Sequence, residues 1–316
     1  MTRHKLLNLV HSALLLGGML FLMGLLGWAF AGAAGLQWML LMGGVLFLLT
    51  PRISPRLILR MYGARPLLRQ ELPGLYRALD EISRRADLPR VPELYHVPSG
   101  MLNAFSMGNR REAAIALTDG LLRTFDLRRI AAILAHEVSH LRNRDLWIMN
   151  LSDVVSRLTS MFSLVGQLLL ILNLPLLLVS GHRVPWFPIL VLIFAPFLNL
   201  LLQLALSRTR EFDADLDAAR ITGDPEGLAS ALEGMERHQS RFLERLFLPG
   251  RRDPHPSLLR THPETEERVR RLRELDGGAR RGPPQADALR GPASGLPGHL
   301  RRVERRPRWH VGGLWF

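Results

Sequence analysis

Residues 136–140 read His-Glu-Val-Ser-His. On a helix of about 3.6 residues per turn, side chains at i and i+4 lie about 40° apart. His136 and His140 therefore turn their imidazoles to one point, as a tetrahedral metal site requires. Glu137 sits beside that point, where a carboxylate takes a proton from a metal-activated water. The pattern is the H-E-x-x-H of metal-dependent peptide hydrolysis. Five residues can also occur by chance on a surface helix, so the flanking chain must decide.

A three-ligand hydrolytic site needs one more protein donor and an open position. The best candidate is the segment Ser207-Arg-Thr-Arg-Glu211-Phe-Asp-Ala-Asp215. If it is helical, Glu211 and Asp215 share a face. Glu211 is then placed to bind the metal, and Asp215 to accept the ring N–H of a ligating histidine, which fixes the imidazole's tautomer and orientation. Taken alone, the same segment reads as a charged helix.

The elements that must position these groups are legible in the hydrophobic pattern. Ile130, Ile133, Leu134, Val138, Leu141 and Leu146 recur at helical spacing, which predicts a helix over 127–150. Asp126 is placed to cap its start. A helix is expected over 66–88, with Leu75, Leu79 and Ile82 on one side. Strands are expected at 94–97, 103–107 and 113–118, with Gly100, Gly108 and Asn109 marking turns. This is an α+β arrangement, mostly helical with a small sheet.

Of 316 residues 47% are hydrophobic, enough for one sizeable domain plus membrane spans. Cysteine is absent, so there is neither a disulfide framework nor a thiolate metal site. The net charge of +13 does not indicate nucleic-acid binding, because only Lys5 among 41 basic residues is a lysine and no nucleic-acid motif accompanies them. The basic residues instead flank apolar segments and populate the C-terminal tail.

Apolar stretches run over about 6–30, 34–50, 158–181 and 185–206. They approach the roughly 20 residues needed to cross hydrocarbon, and the short links between them imply two hairpins. Arg3, His4 and Lys5 before the first stretch also suit a signal peptide, but its apolar core is too long for one. Gln167, Asn173, Asn199 and Gln203 with Pro175, Pro188 and Pro196 are expected to make ordinary interhelical contacts. Arg52, Arg56, Arg60, Arg142, Arg144, Arg157, Arg208 and Arg210 flank one side, against His182 and Arg183 on the other. Positive-inside then puts both termini and the His136 helix in the cytoplasm. The expected organisation is a transmembrane hairpin over 1–52, a soluble domain split into 53–157 and 207–275 around a second hairpin at 158–206, and a basic disordered tail over 276–316.

Four blocks together resemble the HtpX-type membrane zinc metalloproteases, relatives of the CaaX prenyl proteases and the mitochondrial Oma protease. They are Asn103-Ala-Phe-Ser-Met-Gly, Ala135-His-Glu-Val-Ser-His-Leu, Ser207-Arg-Thr-Arg-Glu-Phe-Asp-Ala-Asp and Thr261-His-Pro-Glu-Thr-Glu-Glu-Arg, within about residues 5–275. The resemblance implies a zincin-like fold with one zinc per chain held by His136, His140 and Glu211, with Glu137 as general base and Asp215 in support. It implies that His262 and Arg268 stabilise the tetrahedral oxyanion, and that Asn103, Ala104, Phe105, Ser106 and Met107 form an edge strand pairing with an extended substrate. Misfolded or damaged membrane proteins, or unfolded polypeptides, would be the substrates, in a bacterial cytoplasmic (inner) membrane. Family members often have Ala-Thr where this chain has Ser106-Met107, which bears on pocket preference. A CaaX-type processing peptidase and a non-catalytic zinc-binding sensor remain open at this point.

Overall fold

The structure, a computed structural model, describes residues 3–49, 59–179, 186–247 and 265–278. The elements are α1 (Arg3–Leu49), β1 (Arg65–Pro66), α2 (Pro73–Arg85), β2 (Glu93–Val97), β3 (Ala104–Gly108), β4 (Ala113–Thr118), α3 (Asp119–Thr124), α4 (Leu127–Asn143), α5 (Asp145–Val179), α6 (Trp186–Thr222), α7 (Pro225–Phe247) and α8 (Thr265–Gly278). The protein is mostly helical with one small mixed sheet. It divides into two compact units, Met1–Arg52 with Trp147–Arg210, and Ile53–Leu146 with Glu211–Phe316.

In the second unit the strands run in the order β1-β2-β4-β3. The central pair β2 and β4 is parallel, and both outer pairs are antiparallel. Alternation sends Leu94, Ile115 and Leu117 into one layer, with Leu75, Leu79 and Ile82 of α2 and Ile130, Ile133, Leu134 and Val138 of α4. Each such side chain, fully buried, contributes about 1.5–3 kcal/mol. That core holds α4 against the sheet. Asp126 caps α4, its carboxylate accepting the Arg129 N–H at 2.9 Å.

Two helices are shorter than their periodicity predicts. The helix expected through Asn150 stops at Asn143, because Arg144 takes a left-handed conformation with φ 59° and redirects the chain into α5. The helix expected from Pro66 starts at Pro73. The chain before it is committed to the sheet: Arg65 and Pro66 pair with His96 and Tyr95, and the Leu67 N–H donates to the Leu94 carbonyl at 2.8 Å. Strand bounds differ from expectation by one residue at β2 and β3 and agree at β4.

Among the described residues three helices, lying mostly in the first unit, are long and apolar enough to cross a membrane: Leu7–Leu48, Asp145–Pro175 and Trp186–Thr222. The first is not straight. Ala31 and Gly32 leave helical geometry, and Gly32 adopts φ 57°, ψ −138°, a region open essentially to glycine. A methyl placed on Gly27 would meet Met39 and the Gly35 backbone. In an unbroken helix twelve residues span about 18 Å, so the chain reverses at Gly32 into two packed arms. Met19, Met23, Leu26 and Met39 share a core with Val155, Leu158, Leu192 and Leu206.

Between α5 and α6, Pro196 cannot donate to the Leu192 carbonyl. The Ser163 hydroxyl and, at 3.4 Å, the Gln167 amide donate to that carbonyl instead. Asn199 donates to Thr159 Oγ1 at 2.9 Å. Gln167 and Asn199 thus make interhelical contacts. The turn at His182 and Arg183, His262, and residues 279–316 lie outside the described residues.

Gly35→Val should lower the thermal stability of the detergent-solubilised protein. A Cβ at Gly35 collides with the Gly27 carbonyl, a backbone atom that cannot swing away. Overpacking of this kind costs about 1–3 kcal/mol, and a melting curve equal to wild type would contradict the close arm packing.

Candidate metal centre

His136 and His140 project from α4, and Glu211 from α6. The two Nε2 atoms face each other at 3.1 Å. Glu211 Oε2 lies 3.5 Å from His136 Nε2, and Oε1 lies 3.8 Å from His140 Nε2. One donor atom from each residue falls within 4.8 Å of the others. His136 and Glu211 are buried, and His140 partly so. Two imidazole nitrogens and a carboxylate converging under cover form a donor set that fits a divalent metal. Glu137 is buried next to His136 on α4, and its charge reaches Arg268.

Each of the two histidine rings has a carboxylate behind it. His140 Nδ1 lies 2.9 Å from Asp145 Oδ2. His136 Nδ1 lies 3.0 Å from Asp215 Oδ1, within ion-pair range but poorly aligned for a hydrogen bond. Arg268 on α8 donates through Nε and Nη2 to the two Asp215 oxygens, both at 2.7 Å. Its Nη1 reaches Glu211 Oε2 at 3.1 Å. One guanidinium therefore joins the Glu211 carboxylate to the Asp215 carboxylate behind His136.

The charges respond accordingly. Burial disfavours a charged His136, but Asp215 and Glu211 outweigh it and raise its pKa to about 10. Burial pushes the Asp215 carboxyl up, while Arg268 and His136 prevail and hold it below the usual range. Arg268 stays charged despite burial because Asp215 and Glu211 flank it.

The structure brings together His136, Glu137, His140, Glu211, Asp215 and Arg268 from the residues singled out in the sequence. Arg268, expected at an oxyanion, donates to both Asp215 oxygens and lies within ion-pair distance of Glu211. Residues 104–107 fall in β3, at the edge of the sheet, and Asn103 lies just before it.

Asp145 was missed by sequence reasoning. Five residues along a continuous helix lie about 140° apart, so an unbroken helix turns Asp145 away from His140. The left-handed Arg144 brings it back, and Asp145 is 1% exposed. No glycine marks that break in the sequence. Asn143 Nδ2 also donates to Asp217 Oδ2 at 3.0 Å, tying the end of α4 to α6.

Asp145→Ala should weaken metal affinity by about 10- to 100-fold, the usual cost of losing a carboxylate behind a ligating histidine. Competition with a chelator of known affinity measures it, and undiminished affinity would refute the role. Arg268→Ala should destabilise the fold by about 3–5 kcal/mol, because it leaves two buried carboxylates uncompensated. Arg268→Lys keeps the charge but loses the two-pronged contact, so its stability in chemical denaturation should fall between the two.

Residues 70–276 match the model of Peptidase family M48. The chain is 34% identical to a protease HtpX homolog of Salinibacter ruber, over 86% of this chain and 100% of that protein. It is 36% identical to a homolog from Paenarthrobacter aurescens, over 71% and 80% of the two chains. A homolog from Aquifex aeolicus is 33% identical over 79% and 87%. A crystal structure of S. mikatae Ste24p shares 19% identity and a TM-score of 0.49, covering 86% of this chain and 66% of that one, a likeness too slight to build on. The chain belongs to peptidase family M48 and is an HtpX-like membrane metalloprotease, a hydrolase of peptide bonds.

Proposed function

We propose that the protein is a zinc-dependent endopeptidase that degrades misfolded or damaged membrane proteins and unfolded polypeptides at the cytoplasmic face of a bacterial inner membrane. The observation that carries this reading is the buried convergence of His136, His140 and Glu211 with Glu137 alongside. A zinc-binding sensor has no need of Glu137. Two histidines, one carboxylate and no thiolate favour zinc among divalent metals. Bound there, zinc supplies a Lewis acid that polarises the scissile carbonyl and acidifies a water.

The chain's own residues do the rest. Glu137 takes the proton from the attacking water and returns it to the leaving amine. Asp145 holds the His140 imidazole in the ligating tautomer, and Asp215, at ion-pair distance behind His136, supports the second ring electrostatically. Arg268 keeps Glu211 and Asp215 in register with each other. His262 stabilises the oxyanion, the role its sequence block suggests. The outer edge of β3 pairs with the extended substrate through main-chain hydrogen bonds, which read shape more than sequence.

Two arms of α1 with the apolar parts of α5 and α6 make four spans in two hairpins. The Arg-rich flanks orient both termini and the site toward the cytoplasm. On this reading 1–52 and 158–206 are the membrane hairpins, 53–157 and 207–275 the protease domain, and 276–316 a solvated tail. The broad substrate class follows from the split domain, since a chain emerging from the bilayer is the nearest available substrate.

Glu137→Gln is the decisive variant. It should retain stoichiometric zinc while peptide cleavage falls by about 100- to 10,000-fold, the usual contribution of a general base. Zinc analysis and mass mapping of products from an unfolded membrane protein report the two separately. Undiminished cleavage by this variant would sink the mechanism.

A further inference from the structure

Pairing in the sheet divides residues 104–107 between two layers. Directly opposed residues of an antiparallel pair share a face. Ala104 opposes Leu117, and Ser106 opposes Ile115. Leu117 and Ile115 belong to the core that contains Ile133, Leu134 and Val138 of the metal-bearing helix α4. Phe105 opposes Ala116, and Met107 opposes Ala114. Those two pack in the other layer with Leu59, Tyr95 and Val97, and Phe105 and Met107 pack against that cluster. The Phe105 ring also lies 5.3 Å from that of Tyr62.

This register is pinned. Gly108 turns at φ 93°, where a side chain would strike the Glu112 carbonyl. Asn109 Oδ1 accepts the N–H groups of Arg111 at 2.8 Å and Glu112 at 3.1 Å. A slip by one residue would exchange the two faces, and this turn prevents it. β3 has β4 as its neighbour, and among the described residues no strand pairs with its outer edge.

We propose that Ser106, with Ala104 beside it, determines which substrate side chain the protease accepts, and that Met107 takes no part in that choice. The inference rests on β3 being the strand that pairs with substrate. A peptide laid along β3 alternates its side chains between the same two faces. Those on the α4 side lie next to Ala104 and Ser106, whose small side chains leave room there. Leu102 and Ala104 pack against the apolar core on that side, so a bulky apolar substrate side chain fits. On the opposite face Phe105 and Met107, both half-buried, pack against the Leu59, Tyr95 and Val97 cluster, so a change at Met107 alters packing rather than selection.

The test uses the full chain in detergent with zinc and a synthetic library of extended peptides, with cleavage products mapped by mass spectrometry. Wild type should favour a bulky apolar residue at one subsite. Ser106→Leu should shift the ratio of bulky to small residues there by about tenfold or more, as one or a few methylenes do in a closed pocket. Met107→Ala should leave that ratio as in wild type while lowering thermal stability. An unchanged ratio in Ser106→Leu, or a shifted one in Met107→Ala, overturns the proposal. If Ser106→Leu fails to fold, Ser106→Val and Ser106→Thr carry the same comparison. Glu137→Gln separates the two levels: cleavage that depends on Glu137 but ignores residue 106 removes only the subsite. If no cleavage depends on Glu137, the protease reading fails and the subsite with it.

Discussion

Buried negative charge is the constraint around which this centre is built. Glu137, Asp145, Glu211 and Asp215 are all at most 9% exposed. Carboxylates so placed repel one another and lose their hydration, a penalty of several kcal/mol per ion. The guanidinium of Arg268 is the described cation that answers it most directly, gripping Asp215 with two hydrogen bonds and Glu211 with a third nitrogen. A divalent metal, which His136, His140 and Glu211 are placed to hold, would supply the remaining positive charge. Arg268, 7% exposed, brings that charge from α8, the last described helix.

That charge arrangement requires rigid supports, and apolar packing provides them. The inner side of α4 is buried with Leu94, Ile115 and Leu117 of the sheet and with α2, which leaves its histidines on the side that meets Glu211. α6 contributes Glu211 and Asp215, one turn apart, and is tied to the end of α4 by Asn143 and Asp217. Because the ligands sit on helices rather than loops, the donor atoms stay within a few ångströms of one another. That is the preorganisation a hydrolytic site relies on.

Membership in peptidase family M48 accounts for the chemistry, while the local geometry differs from residue to residue. Ser106 and Met107 sit side by side in β3. The sheet shows that these two positions are not equivalent, since one lies on the α4 side and the other, half-buried, packs in the opposite layer. A similar division holds for the helix break. Arg144 adopts a conformation usually given to glycine, and its effect is to aim Asp145 at His140.

Several features were written in the chain itself. The i, i+4 spacing of His136 and His140, the apolar face of α4, its Asp126 cap and the long apolar segments depend on contacts within a few residues, which periodicity reports directly. The Glu211 and Asp215 pair was legible by the same spacing, and the need for a third protein ligand joined it to the histidines. Tertiary structure alone decided the rest. It assigned Arg268 to the carboxylates, turned Asp145 toward His140, stopped α4 at Asn143, and divided Ser106 from Met107. Those outcomes depend on a backbone reversal at a residue without a glycine signature and on pairings between distant segments. Neither leaves a periodic trace, because the energy that fixes them comes from burial and charge compensation across the fold rather than from the propensities of neighbouring residues.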